Sequence, residues 1–194
     1  MTSENYAKIL KMQTTGVTQK EAFVIFDSLE TVNKQFMIGK WRGSECKTGH
    51  IMDGMLSIAP WYGKLFISSE AVHPLVFTDR EGKKYCVDPR KVFRIINNTV
   101  TMKLLAGLTR KLNPVRKFDS HKLDLVFKSF KTYRPKARLR EIKYRGKITA
   151  AMIYDELAII DVFKKIDNDT IIGVMDIKGR YGTKGYFFIM NREK

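Results

Sequence analysis

The amino-acid sequence predicts a mainly β (α+β) fold, an antiparallel β-barrel of about eight strands with an N-terminal helix and a basic helical insertion. Three observations lead to this prediction. Apolar residues recur at helical spacing only near the N-terminus and in a lysine-rich middle segment. Elsewhere, short runs of β-branched and aromatic residues alternate with turn residues. These runs amount to about eight strands, enough to close a barrel around one small ligand.

The N-terminal helix is predicted over about residues 18–31. Thr18 and Glu21 form a capping box, and the apolar residues behind them follow the period of a helix. A shorter helix is predicted at about residues 4–12, and Gly16 separates the two helices. The residues expected to share its apolar face are Tyr6, Ile9 and Leu10.

The first barrel strands are predicted between residues 36 and 87. A strand passes through residues 39–43, where two glycines flank Trp41 and permit a close backbone approach. The following segment is predicted to begin as a helix near Asp53 and to continue as a strand after Gly63. Residues 75–77 and 84–87 are predicted to pair as a hairpin.

Residues 88–134 form a basic amphipathic segment, predicted as two or three helices. The stretch 103–145 holds 14 Lys or Arg side chains and only three acidic ones, and the whole chain has a net charge of +16. This excess of positive charge attracts polyanions, but it does not discriminate among nucleic acid, an anionic membrane surface and an anionic ligand. The apolar face of these helices suits a lid on the barrel, a membrane contact or a homodimer interface.

After Pro135 the sequence predicts a β-meander over residues 135–194. Turn residues at 145–147 and 167–169 tolerate the left-handed backbone region, so consecutive strands are expected to pair antiparallel. The predicted strands are residues 138–144, 148–154, 158–166, 170–177 and 186–190. We expect the regions 18–87, 88–134 and 135–194 to form a single structural unit over residues 1–194.

Composition and motifs limit the classes of function. No run approaches the ~18 apolar residues of a membrane span, and the N-terminus lacks a secretory signal, so we expect a cytoplasmic protein with peripheral membrane contact as an open alternative. Cys46 and Cys86 form neither a disulfide framework nor a zinc motif. The motifs of serine hydrolases, phosphate-binding loops and zinc proteases do not occur. The sequence therefore predicts no enzyme activity, no metal site and no cofactor.

Several short motifs in a fixed order carry a family resemblance. They are residues 39–43 (GKWRG), 48–50 (TGH), 53–54 (DG), 61–64 (WYGK), 72–75 (VHPL), 152–155 (MIYD), 173–179 (GVMDIKG) and 186–188 (YFF). This order resembles the bacterial GXWXG family, in which a region with the Gly-x-Trp-x-Gly motif precedes a C-terminal domain of unknown function. The resemblance spans about residues 18–192 and says least about the basic middle segment.

The Gly-x-Trp-x-Gly strand is also similar to the first strand of nitrobindin and, more distantly, of lipocalins. The resemblance implies a calycin-like barrel that holds a ligand, with Trp41 closing one end. Haem binding of the nitrobindin type would need a histidine in a late strand, and no histidine follows His121. Haem is therefore not expected, and the fold alone does not assign a function.

Aromatic and polar residues near the predicted cavity are the candidate ligand contacts. Trp61 and Tyr62 beside Lys64 can stack on a flat ligand and hold an anionic group. The predicted ligand-binding residues are Trp41, Arg42, His50, Asp53, Trp61, Tyr62, Lys64, His73, Tyr154, Asp155, Asp161 and Asp176.

Each of these residues also has a structural interpretation. Trp41 suits a plug at the barrel end, with Arg42 stacked on an aromatic ring or paired with a carboxylate. His50 beside Asp53 suits a histidine–carboxylate pair or a plain surface histidine. The strand aspartates face either the cavity, where they need partners, or the solvent.

The predicted function is binding of an apolar or amphiphilic small molecule, of the fatty acid or phospholipid type, in the barrel cavity. Arg42 or Lys64 would meet an anionic head group, and the basic segment would dock on an anionic membrane. The main alternative is a nucleic-acid-binding module that uses residues 103–145. A small-molecule enzyme, the least favoured class, would need four polar residues to converge in one pocket: His50, His73, Asp155 and Asp161.

Overall fold

A closed eight-stranded antiparallel barrel lies at the centre of the computed structural model, which describes residues 3–97, 125–179 and 184–194. The predicted fold class is confirmed. The helices are α1 (Ser3–Gln13), α2 (Gln19–Ser28), α3 (Lys34–Met37), α4 (Met55–Ile58) and α5 (Pro89–Asn97). The strands are β1 (Glu30–Thr31), β2 (Gly39–Glu45), β3 (Trp61–Phe66), β4 (Val72–Thr78), β5 (Lys84–Cys86), β6 (Ala137–Tyr144), β7 (Lys147–Tyr154), β8 (Ile159–Lys165), β9 (Thr170–Ile177) and β10 (Tyr186–Arg192).

The barrel closes because the last strand, β10, pairs with β9 on one side and with β2 on the other. Its order is β2, β3, β4, β6, β7, β8, β9 and β10, and β10 returns to β2 with Met190 opposite Gly43. Strand β4 meets β6 through Val72 and Ala137, and β5 continues the same edge of β4 beyond this pair. The short strand β1 adds to β8.

Alternation along the strands sorts the apolar side chains into an inner and an outer layer. In β10, Phe188 points into the barrel, whereas Phe187 and Ile189 lie outside it. The same alternation separates Met152 inside from Ala151 outside on β7. Large inner side chains with almost no exposed surface are Trp41, Phe66, Leu139, Met152 and Phe163.

Helix α2 covers the outer layer and begins at the predicted capping box. The Thr18 hydroxyl accepts the Glu21 N–H, and the Glu21 carboxylate accepts the Thr18 N–H at 2.7 Å. Phe26 packs edge-on against Phe187 of β10, with ring centres 6.1 Å apart. Burial of this face, more than helix propensity, holds the helix on the barrel.

Helix α1 uses a different face from the one predicted. Ile9 and Met12 are buried against the outer layer, while Tyr6 and Leu10 are exposed. The prediction that Tyr6 and Leu10 share the buried face is therefore wrong, because the contact with the outer layer is made by Ile9 and Met12 at the C-terminal half of the helix.

The described part of the basic segment packs its apolar face on the barrel. On α5, Val92 and Phe93 are buried while Lys91 and Arg94 are exposed. A helical turn follows at residues 125–128, and the remainder of the predicted helices, residues 98–124, lies outside the described residues. Among the described helices, none has the length and apolar character needed to cross a membrane.

Candidate functional site

The two ends of the barrel differ in chemistry. At the α3 end, the Trp41 indole donates its Nε1–H to the Met37 carbonyl at 2.8 Å. The Arg192 guanidinium of β10 lies 4.2 Å from the centre of the Trp41 ring and donates to the carbonyls of Phe36 and Ile38. Trp41 and Arg192 therefore plug the α3 end.

At the opposite, α4 end the barrel interior contains a polar cluster, named here the buried polar cluster, formed by the buried Lys64, Tyr154 and Asp161 and the half-buried Trp61. The Lys64 Nζ lies 2.7 Å from the Asp161 Oδ2, and the side chains are only 3% and 0% exposed. The Tyr154 hydroxyl donates to the same oxygen at 3.5 Å, and Nζ also donates to the Pro74 carbonyl at 3.2 Å. An ion pair is thus held inside an otherwise apolar barrel.

Aromatic rings surround the ammonium of this pair. The Lys64 Nζ lies 4.9 Å from the Phe188 ring centre and 5.9 Å from those of Trp61 and Tyr154. The Trp61 indole rests on Gly43, where any Cβ would overlap the ring. The second glycine of the Gly-x-Trp-x-Gly motif therefore makes room for the aromatic wall of the cluster.

Burial controls the protonation of the cluster. It raises the pKa of Asp161, and the Lys64 ammonium opposes this shift. It also raises the pKa of Tyr154 well above its usual value, with a further contribution from Asp161, so the phenol stays protonated. The charges of the Lys64 ammonium and the Asp161 carboxylate balance each other in this ion pair.

Two atoms of the cluster have no hydrogen-bond partner among the described residues. They are the Asp161 Oδ1, an acceptor, and the Trp61 Nε1–H, a donor, and both are buried. Buried polar atoms in proteins are almost always hydrogen-bonded, to protein groups or to ordered water. The cluster can therefore bind a small group that both donates and accepts.

A short cover closes the α4 end above the cluster. Glu45, at the end of β2, accepts the N–H of Gly54 and the hydroxyl of Ser57, each at 2.8 Å. It also accepts the hydroxyl of Tyr186, at the start of β10. The cover side chains that pack on the inner layer are Met52, Met55 and Leu56.

His50 and Asp53 build the loop of this cover. The Asp53 Oδ2 accepts the backbone N–H groups of Thr48, Gly49 and His50 at 2.8 to 3.1 Å. The His50 Nδ1 accepts the Met52 N–H, and desolvation lowers the pKa of His50. A histidine–carboxylate pair through Nδ1 is therefore not formed, because both groups are used to hold the backbone.

Three of the predicted ligand contacts lie outside the barrel interior. Arg42, Asp155 and Asp176 are all exposed to solvent. Asp155 follows the last residue of β7 and pairs with Arg138 at 2.6 Å. The stacking proposed for Arg42 is made by Arg192 instead, since strand alternation turns Arg42 outward when Trp41 points inward.

Tyr62 and His73 also lie outside the interior. His73 is buried and has the parity of Leu75 on β4, whose side chain packs in a third apolar cluster with Phe77 and Val92. Tyr62 lines a surface pocket of about 460 Å³ together with Arg42 and Lys84, whose Nζ lies 4.0 Å from the Tyr62 ring centre. The arrangement of His50, His73, Asp155 and Asp161 in one pocket, required for the enzyme alternative, is thus not present.

Sequence reasoning missed Glu45, Tyr186 and Arg192. Glu45 has the parity of Trp41 on β2, so alternation from the Gly-x-Trp-x-Gly motif could have placed it inside the barrel. Arg192 carried no local signal, since it reaches Trp41 only through the pairing of β10 with β2. Within residues 3–97, 125–179 and 184–194, no three His, Cys, Asp or Glu side chains lie close enough to hold a metal ion.

Comparison with known families divides the barrel into two regions. A model described as GXWXG protein matches residues 24–82, and a model described as domain of unknown function (DUF4334) matches residues 135–192. The first match contains β2, β3 and β4, and the second contains β6 to β10. No curated protein matches the chain.

A solved structure shares this fold over nearly the whole chain. It is described as "Crystal structure of protein from Thermomonospora curvata", with a TM-score of 0.65 and 28% sequence identity. The match covers 98% of this chain and 99% of the other. The two proteins therefore share the same overall fold.

Proposed function

We infer that this chain belongs to the GXWXG family and that the two regions of that family form one barrel here. On this premise, we propose that the protein binds an apolar or amphiphilic small molecule at the α4 end. The observation that carries the proposal is the pair of buried, unpartnered atoms on Trp61 and Asp161, within the part of the chain that the structure describes. A barrel of eight strands is wide enough to enclose one small ligand.

The apolar part of the ligand has an adaptable surface to contact. Met52, Met55 and Met175 belong to or pack on the inner layer near the cluster. Methionine side chains are unbranched and polarizable, so they rearrange around ligands of different shape at little cost. Displacement of the α4 cover would open the interior to solvent.

The proposal is binding without catalysis. General acid–base catalysis needs two titratable groups that converge on the substrate. Of the candidate acids and bases, His73 and Asp155 lie outside the interior, and Asp161 is already paired with Lys64. The interior supports recognition of a ligand better than proton transfer.

Native mass spectrometry of the freshly purified protein, followed by organic extraction, tests this function. We expect a bound small molecule in the wild type and in Asp155→Asn, whose substitution lies outside the barrel. Occupancy should fall in Trp61→Phe, which removes one hydrogen-bond donor and part of the aromatic wall. A wild-type protein that is empty and takes up neither added dodecanol nor added dodecanoate would contradict the proposal.

We also propose that the protein docks on anionic membrane surfaces. Its net charge of +16 and the exposed Lys91 and Arg94 of α5 support this. Co-sedimentation with vesicles of phosphatidylcholine, with and without phosphatidylglycerol, measures it. We expect binding only to the vesicles that contain phosphatidylglycerol, and equal binding to both kinds would refute docking by charge.

A further inference from the structure

We infer that the ligand of the buried polar cluster has an uncharged head group with one donor and one acceptor, such as a hydroxyl or a primary amide, and not a carboxylate. This inference rests on the proposed function and names its ligand class. It differs from the expectation that Lys64 meets an anionic head group, because the charge of Lys64 is already balanced by Asp161 at 2.7 Å.

The two unpartnered atoms require complementary groups. The Asp161 Oδ1 needs a donor, and the Trp61 Nε1–H needs an acceptor. Both belong to residues that flank one ammonium: Lys64 Nζ bonds the other Asp161 oxygen and lies 5.9 Å from the Trp61 ring centre. A hydroxyl or a primary amide carries both a donor and an acceptor, so its chemistry matches the two unpartnered atoms.

Charged head groups fail at this site for separate reasons. A carboxylate accepts from Trp61, but it has no hydrogen to donate to Asp161 and places a second negative charge beside it. An ammonium donates to Asp161, but it cannot accept from Trp61 and is repelled by Lys64. Burial makes either repulsion costly, because the surrounding rings and aliphatic side chains screen charge poorly.

A matched pair of amphiphiles tests the inference directly. Dodecanol and dodecanoate share one chain length and differ only in the head group. Titrations of the wild-type protein at about pH 8, where the fatty acid is ionised, should show dodecanol binding at least about tenfold more tightly. Equal or tighter binding of dodecanoate would overturn the inference and leave the proposed function standing, whereas binding of neither would overturn both.

A substitution of the buried acid should reverse the preference. Asp161→Asn leaves the Lys64 ammonium without its counter-charge, so the variant should bind dodecanoate more tightly than dodecanol. Asp155→Asn is the matched control and should keep the wild-type order, since Asp155 pairs with Arg138 on the outside. A folded Asp161→Asn variant that still prefers dodecanol would overturn the inference, and the wild-type titrations decide it if that variant fails to fold.

Discussion

Two buried lysines of this barrel have opposite surroundings. Lys64 points inward and pairs with Asp161, whereas Lys164 lies on the outer face of β8, beneath α2. The Lys164 Nζ has no hydrogen-bond partner in the described part of the chain and lies 6.0 Å from the Phe26 ring centre. Desolvation lowers the pKa of Lys164, and repulsion from Lys147 adds to the shift. Lys64 thus has a carboxylate partner, whereas the buried Lys164 Nζ has no hydrogen-bond partner within the described residues.

Replacing Lys164 should therefore stabilise the protein. We expect Lys164→Met to raise the free energy of unfolding by about 1–3 kcal/mol near neutral pH, since it removes a buried and unpaired polar group. Urea unfolding of the variant and the wild type measures the difference.

The gain should depend on pH in a defined direction. The folded-state pKa of Lys164 is lowered, so the cost of its ammonium is fully present below that pKa and disappears as the pH rises toward the ordinary value of 10.5. The difference between Lys164→Met and wild type should accordingly shrink at about pH 10. Lys143→Met, at an exposed position, should show no change at either pH, and a gain there as large as at Lys164 would contradict the argument.

At the scale of elements, an irregular strand builds the candidate site. Trp61 and Lys64 are three positions apart, so strict alternation would place them on opposite faces of β3. The pairing of β3 with β4 shifts register between Trp61, Gly63 and Leu65. This bulge turns both Trp61 and Lys64 inward. Gly63 makes it possible, because a Cβ at this position would overlap the Trp41 carbonyl oxygen.

Substitution of Gly63 should consequently be severe. We expect Gly63→Ala to lower the free energy of unfolding by more than about 3 kcal/mol, because β2 and β3 must move apart. Gly49→Ala is the control: Gly49 has a φ of +73° but nothing within 4 Å of the added Cβ, so it should cost about 1–2 kcal/mol. Thermal unfolding followed by circular dichroism compares the two, and equal costs would show that the close approach is not decisive.

At the scale of the whole molecule, neither matched region closes the barrel alone. The region 24–82 supplies β2 to β4, and the region 135–192 supplies β6 to β10. The barrel closes only when β10 pairs with β2 and β4 meets β6. These contacts join residues that are far apart in the chain, so we expect the two regions to fold together and cooperatively.

The prediction of a single unit over residues 1–194 can be tested by dividing the chain. Fragments 1–134 and 135–194, expressed separately, should each lack a cooperative unfolding transition, whereas the whole chain should show one. Differential scanning calorimetry measures both cases. A cooperative transition in either fragment alone would show that its region is an independent domain.

Net charge is also a property of the whole molecule, and it separates the nucleic-acid alternative from ligand binding. A charge of +16 should give affinity for DNA or RNA at low salt. If this affinity is non-specific, it should fall steeply with ionic strength, while binding of dodecanol in the interior should not change. Fluorescence anisotropy with a labelled oligonucleotide over a salt series measures this, and tight binding that persists at high salt would favour the nucleic-acid module.

The sequence by itself determined the fold class and most strand boundaries. Predicted strands at residues 148–154 and 170–177 correspond to β7 and β9 within one residue, because turn residues and alternation are local signals. The capping box placed the start of α2 for the same reason. The motif order also indicated the two family regions.

Only the tertiary structure decided which polar residues meet. Of the three aspartates that the sequence placed in the C-terminal strands, Asp161 alone faces the interior, where it pairs with Lys64 from a strand almost one hundred residues earlier in the chain. Arg192 reaches Trp41 in the same way, through the closure of the barrel. Local patterns specify the face of a strand, but a buried charge is stable only beside its partner, and that partner is set by long-range pairing and by the bulge at Gly63.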